Sequence, residues 1–135
     1  MKNIKNHCRF ILYIFLFIGI CNVVYPKNID KYYKSNKISD YFSGVLHLYN
    51  NEYASSYGRL KNLEGLEEFN STYPRFYEYA LVASGNFYNA YRYSKKLENK
   101  KKDNFESNLI TGLYYIKNKK YDSALKYFKK LDKNE

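Results

Sequence analysis

The sequence predicts an all-α fold in which antiparallel helix hairpins stack as an α-α superhelix of about three units. Three observations predict it. Equivalent residues return every 34 positions: Tyr53, Phe87 and Tyr121, then the small residues Ser56, Ala90 and Ala124, then Leu63, Leu97 and Leu131. Upstream, Leu48, Val82 and Ile116, and before them Phe42, Phe76 and Ile110, keep the same interval. Within a unit, apolar residues fall at helical spacing, as in Ile38, Tyr41, Phe42, Val45, Leu48 and Tyr49. Turn-forming pairs (Asn50-Asn51, Gly85-Asn86, Asn118-Lys119) divide each unit in two. One hairpin cannot hide its apolar stripe alone, so neighbouring units must bury it.

The units are expected at residues 37–70, 71–104 and 105–135. In each, the first helix precedes the turn, and the second starts near the recurring aromatic and runs to the recurring leucine. Gly65, just after Leu63, is a helix stop in the first unit. In the second unit Pro74 follows Ser71-Thr72 and falls in a first helical turn, where a missing amide does no harm. In the third, Asp103 and Glu106 have the spacing of a capping box. The small column gives close-crossing helices room for a bulky partner, and the aromatics Tyr53, Phe87 and Tyr121 fill the space beside it. A further small column, Gly44 and Gly112, is interrupted by Glu78. The last helix, Tyr121 to about Asp132, is expected to leave Leu125, Phe128 and Leu131 uncovered. Solenoids normally cap their ends. The expectation is therefore a longer array, or a C-terminal edge docked on a partner or on a second copy.

These features resemble the tetratricopeptide repeat, a 34-residue helix–turn–helix with a glycine in the first helix and an aromatic and an alanine opening the second. The third unit is most similar, with Gly112, Tyr115, Tyr121, Ala124 and Phe128 at the family's places. The second has Ala90 but Glu78 for the glycine and Ser94 for a later aromatic. The first has Gly44 and Tyr53 but Ser56 and Leu60, and no unit ends with the family's proline. The resemblance covers about residues 37–135 and implies a scaffold or adaptor for proteins or peptides, with no catalytic residue, cofactor or metal. It implies a groove lined by the first helices, at Tyr41, Val45, Leu48 and Tyr49, then Arg75, Tyr79, Val82 and Ala83, then Leu109, Leu113, Ile116 and Lys117. Chaperone-binding members of the family clamp a carboxylate with Lys, Asn and Arg in these columns. Here Tyr41 and Val45 stand where the Lys and Asn are needed, so a carboxylate clamp is not expected. Part of the same set is expected to serve as core between units.

With 135 residues, one domain is the expectation. There are 23 Lys+Arg against 13 Asp+Glu, a net charge of +10, and aromatics make up 20% of the chain. The basicity comes from lysine, with only Arg9, Arg59, Arg75 and Arg92 to make bidentate contacts. Nucleic acid is therefore an unfavoured partner. A basic surface for nucleic acid or anionic lipid remains the alternative to a protein-binding groove, distinguishable by its salt dependence.

Lys2, Lys5 and Arg9 precede the apolar run Phe10–Ile20, which continues less purely to Tyr25 before Pro26. A basic start and an apolar run of this length predict a signal peptide, or an uncleaved anchor if the run extends to Tyr25. A lipoprotein reading would use Cys21, but Ile20 is bulky where a small residue is wanted. Residues 1–25 are thus an export or membrane-anchoring segment and 26–36 a polar linker, with the rest exported to the periplasm or beyond. Loss of residues 1–21 removes three basic residues and no acidic one, leaving 20 against 13. Both cysteines, Cys8 and Cys21, lie in that segment, so the exported part holds no disulfide.

No nucleophile is paired with a base at recognisable spacing, and no phosphate-binding glycine loop exists. His47 reads as a surface or half-buried side chain, Glu67-Glu68 as a solvated turn and Lys100-Lys101-Lys102 as a solvated linker. Asn70-Ser71-Thr72 fits the glycosylation triplet, a common match in an Asn-rich chain.

Overall fold

Three turns carry the same backbone pattern at the interval of the sequence repeat. Asn51, Gly85 and Lys119 adopt left-handed φ values of 60°, 83° and 57°. The amides one residue later, of Glu52, Asn86 and Lys120, donate to the carbonyls of His47, Leu81 and Tyr115 at 2.8, 2.8 and 2.9 Å. This is a Schellman closure, which satisfies carbonyls left unpaired at a helix end. Glycine suits the left-handed position best and asparagine tolerates it, whereas Lys119 adopts it at some cost.

The structure is a computed structural model and describes residues 34–131. It contains α1 (Ser35–Tyr49), α2 (Tyr53–Lys61), α3 (Tyr73–Ala83), α4 (Phe87–Asn99), α5 (Phe105–Lys117) and α6 (Tyr121–Leu131), with a 3₁₀ turn at Leu66–Glu68. Among the described residues there is no strand, so the all-α expectation holds. Each helix packs on its sequence neighbours, and the first helices also meet directly, α1 on α3 and α3 on α5. The core runs continuously through Leu48, Leu60, Tyr77, Leu81, Leu97 and Ile110.

The small columns are explained by steric contacts at a spacing of 16 residues. A Cβ on Gly44 would lie 2.7 Å from Leu60 Cγ, and one on Gly112 would lie 2.4 Å from the Phe128 ring. Between them, Glu78 faces Ser94, so the large residue has moved to the first helix and the small one to the second. Ser56, Ala90 and Ala124 are all buried, and Ser56 Oγ also donates to the Gly44 carbonyl at 2.8 Å. Gly112→Ala is expected to cost about 1–3 kcal/mol of overpacking against Phe128. Gly58, in α2, has no atom within 4 Å of a Cβ built on it. Gly58→Ala should therefore stabilise by roughly 0.5–1 kcal/mol through helix propensity. Urea unfolding of the two variants should shift the midpoint in opposite directions.

Several local expectations are corrected. Helix α2 stops at Lys61, short of Leu63, while α4 continues past Leu97 to Asn99. Gly65, at φ 107°, opens the 3₁₀ turn rather than ending α2. The α5 cap is Asn104, whose Oδ1 accepts from the Ser107 amide at 2.7 Å. Asp103 lies one residue too early to cap, and accepts from the Asn108 side chain instead. Pro74 does sit in the first turn of α3. Asn70 Oδ1 accepts from the Thr72 amide, the Thr72 hydroxyl and the Tyr73 amide, which holds the entry to that helix. Phe128 is not uncovered, because its ring packs over Gly112, and Leu131 is half-buried. Leu125 is exposed as expected.

The acidic pair is not a solvated turn, and Lys100 and Lys102 of the lysine run are its partners. The Glu67 side chain is fully buried and meets Lys96 and Lys100 at 3.1 Å each. Glu68 meets Lys100 at 2.6 Å and Lys102 at 2.9 Å, which holds its carboxyl down at about 2. Lys102 Nζ also donates to the Glu67 carbonyl at 2.9 Å. Between units the ion pairs repeat too. Glu64 meets Lys96 at 2.8 Å, and 34 residues on Glu98 meets Lys130 at 2.7 Å.

Candidate functional site

The first helices of the three units border a concavity of about 560 Å³, lined by Leu48, Tyr49, Asn51, Arg75, Phe76, Tyr79 and Glu106. The last turn of α1 and the first half of α3 line it, and the start of α5 contributes Glu106. Arg75 Nε donates to Glu106 Oε1 at 2.8 Å, and the arginine side chain is 70% exposed. Its guanidinium is thus oriented by one bond while its other donors reach solvent. Tyr79 is exposed and meets the Tyr53 ring edge-on at 6.1 Å between centroids. Tyr53 in turn donates to Asn51 Oδ1 at 2.7 Å, so the turn after α1 and the opening of α2 shore up one wall. The result is an amphipathic cleft: aromatic faces, one oriented cation and one carboxylate.

Of the groove positions the sequence implied, Leu48, Tyr49, Arg75 and Tyr79 line this concavity, and Leu48 is its buried floor. Tyr41 points elsewhere. Its hydroxyl bonds Thr72 Oγ1 at 3.0 Å, its ring meets Phe76 edge-on, and it borders a second concavity with Ile38, Phe42, Leu66 and Phe69. Val45, Ala83 and Leu109 are half-buried, whereas Val82, Leu113, Ile116 and Lys117 are exposed outside the cleft. Phe76 was legible only as a core column, Asn51 only as a turn and Glu106 only as a cap. No sequence signal united them, because they come from three units.

A second cluster lies inside the fold. Glu78 is fully buried, and its Oε1 accepts from Ser94 Oγ and Ser107 Oγ at 2.7 Å each, while Oε2 has no hydrogen-bond partner. Burial raises its carboxyl to about 7 against the opposing pull of the two hydroxyls and Asn104, and the nearby Glu106 charge adds to the rise. His47 is half-buried and bonded through Nδ1 to Glu52 Oε2. Among the described residues no three His, Cys, Asp or Glu side chains are grouped to hold a metal ion. Among them, too, no helix is long and apolar enough to cross a membrane. The expected export segment, residues 1–25, lies outside the described residues, as do 26–33 of the linker. Comparison with protein-family models, with curated proteins and with solved structures finds no match to this chain.

Proposed function

We propose that this chain is a non-catalytic adaptor of tetratricopeptide-like hairpins, wound as a short α-α superhelix, that presents the cleft between its first helices to a protein or peptide. We place it in the cell envelope, exported or held by its N-terminal apolar run. The observation that carries this reading is the cleft itself: Leu48 and Tyr49 from the end of α1 converge with Arg75, Phe76 and Tyr79 from the first half of α3. Aromatic side chains offer large contact area with few rotamers to freeze, and arginine adds directional donors. The repetition of the left-handed turns, the 16-residue steric pairs and the ion pairs between units supports the stacked-hairpin reading.

The alternative, a basic surface for anionic lipid or nucleic acid, has less free charge to work with. Lys95, Lys96, Lys100, Lys102 and Lys130 are engaged by Glu64, Glu67, Glu68, Glu98 and Asp103 within the chain.

Photo-crosslinking separates the two. A photoreactive residue at Tyr49 or Tyr79 should capture one defined partner in the envelope, and one at Lys126 or Arg92 should not. Capture should weaken about tenfold or more on Arg75→Glu, and should change little with salt. Capture confined to positions 92 and 126, with a steep salt dependence, would replace the groove by the basic surface.

A further inference from the structure

The two outer helices expose the two halves of a surface that is buried wherever units meet. On α1, Ile38, Phe42, Leu46 and Tyr49 form an apolar stripe facing solvent, with Phe42 67% and Leu46 60% exposed. The register positions of Phe42 and Leu46 are covered inside the stack: Ala80, 34 residues after Leu46, is 0% exposed, and Ile110, 68 after Phe42, is 6% exposed. At the other end, Leu125 is 53% and Tyr121 64% exposed. Their counterparts are half-buried against the next unit. Tyr57 stacks on Tyr77, and Tyr91 stacks on Tyr114 with ring centroids 3.6 Å apart.

We infer that a second copy of this chain docks head to tail, with the Leu125 face of α6 from one copy seated on the Leu46 face of α1 in the next. The Tyr91–Tyr114 contact supplies the register. Adding 34 to Tyr91 gives Leu125, and Leu46 stands two intervals before Tyr114, so Leu125 meets the partner's Leu46. By the same rule Leu109 meets the partner's Phe42, as Tyr41 meets Phe76 within the chain. The junction thus continues the α4–α5 interface; the α2–α3 interface buries the same two faces with its stacked pair one turn earlier, Tyr57 on Tyr77. Because the two faces differ, the contact is heterologous and propagates as a line of copies instead of closing as a two-fold dimer. The two residues that set the register on α1, Phe42 and Leu46, are not among those lining the Arg75–Tyr79 cleft, whereas Tyr49 at the end of the stripe borders both.

The test uses the full chain in mild detergent on a C8S/C21S background. One population carries L46C and the other L125C, and a short bismaleimide is added to each alone and to the mixture. A covalent dimer is expected only in the mixture, and it should be lost when F42K joins L46C. Phe42 is exposed, so circular dichroism of that variant should keep its helical signal. A dimer from L46C alone would mean α1 pairs with α1 and would overturn the inference. So would two freely reactive thiols without a dimer, which leaves both faces bare. An L46C thiol that neither reacts nor crosslinks would mean that another part of the chain covers α1, and that also overturns it.

Discussion

Glu78→Gly combined with Ser94→Leu is expected to restore much of the stability that each change removes alone. The pair sits in the column where Gly44 faces Leu60 and Gly112 faces Phe128. In the middle unit the sizes are exchanged, and Glu78 fills the space by lying across to Ser94 and Ser107. Glu78→Gly alone empties a buried side-chain volume and strips two serine hydroxyls of their shared acceptor, at a cost of about 2–4 kcal/mol. Ser94→Leu alone forces a branched side chain against a buried carboxylate, at about 1–3 kcal/mol. Together they rebuild the arrangement of the flanking units, with apolar contact in place of an unpaired Oε2. A double-mutant cycle by urea unfolding should give a favourable coupling of about 1–3 kcal/mol. Strict additivity would show that the two positions do not share one space, and the steric account of the column would fail.

The architecture was legible because it is written in residues that cannot be exchanged freely. Gly112 must be small under Phe128, and the residue at 51, 85 and 119 must accept positive φ. Such constraints recur wherever the same backbone recurs, so the 34-residue interval survives even where Glu78 or Ser56 breaks the pattern. Capping was less legible, since Asp103 and Asn104 are both competent and only the helix start at Phe105 decides between them. The role of Glu67, Glu68 and the lysines was hidden for another reason. A charged pair in a loop looks solvated until a later unit brings Lys96, Lys100 and Lys102 to it across more than 25 residues. The cleft lies between these cases. Leu48, Tyr49, Arg75 and Tyr79 follow from register, while Phe76 joins them through the packing of α1 on α3 and Glu106 through that of α3 on α5.

Stability is expected to peak near pH 4.5 and fall on both sides, against the more common optimum between about pH 5 and 8. On the alkaline side the cause is Glu78. Its folded-state pKa of about 7 lies above its ordinary value of 4.5, so the folded protein holds that proton more tightly than the unfolded chain. The contribution is complete below 4.5 and is lost as pH rises through 7, amounting to up to about 3 kcal/mol. The groups that act on it are Ser94, Ser107 and Asn104, all neutral, the carboxylate of Glu106, which opposes ionisation, and the buried Tyr93, which feels its charge. On the acid side the causes are the lysine-paired carboxylates, Glu68 and the more enclosed Glu98. The burial of Glu98 is outweighed by Lys130, Lys95 and the Tyr127 hydroxyl, which hold its carboxyl at about 2. That stabilisation is present above 4.5 and is lost as pH falls towards 2. Glu78→Gln removes only the first effect, so its urea midpoint should stay level from about pH 5 to 8 while still falling in acid. If Glu78→Gln kept the alkaline decline of the native chain, the buried carboxylate would not be its source.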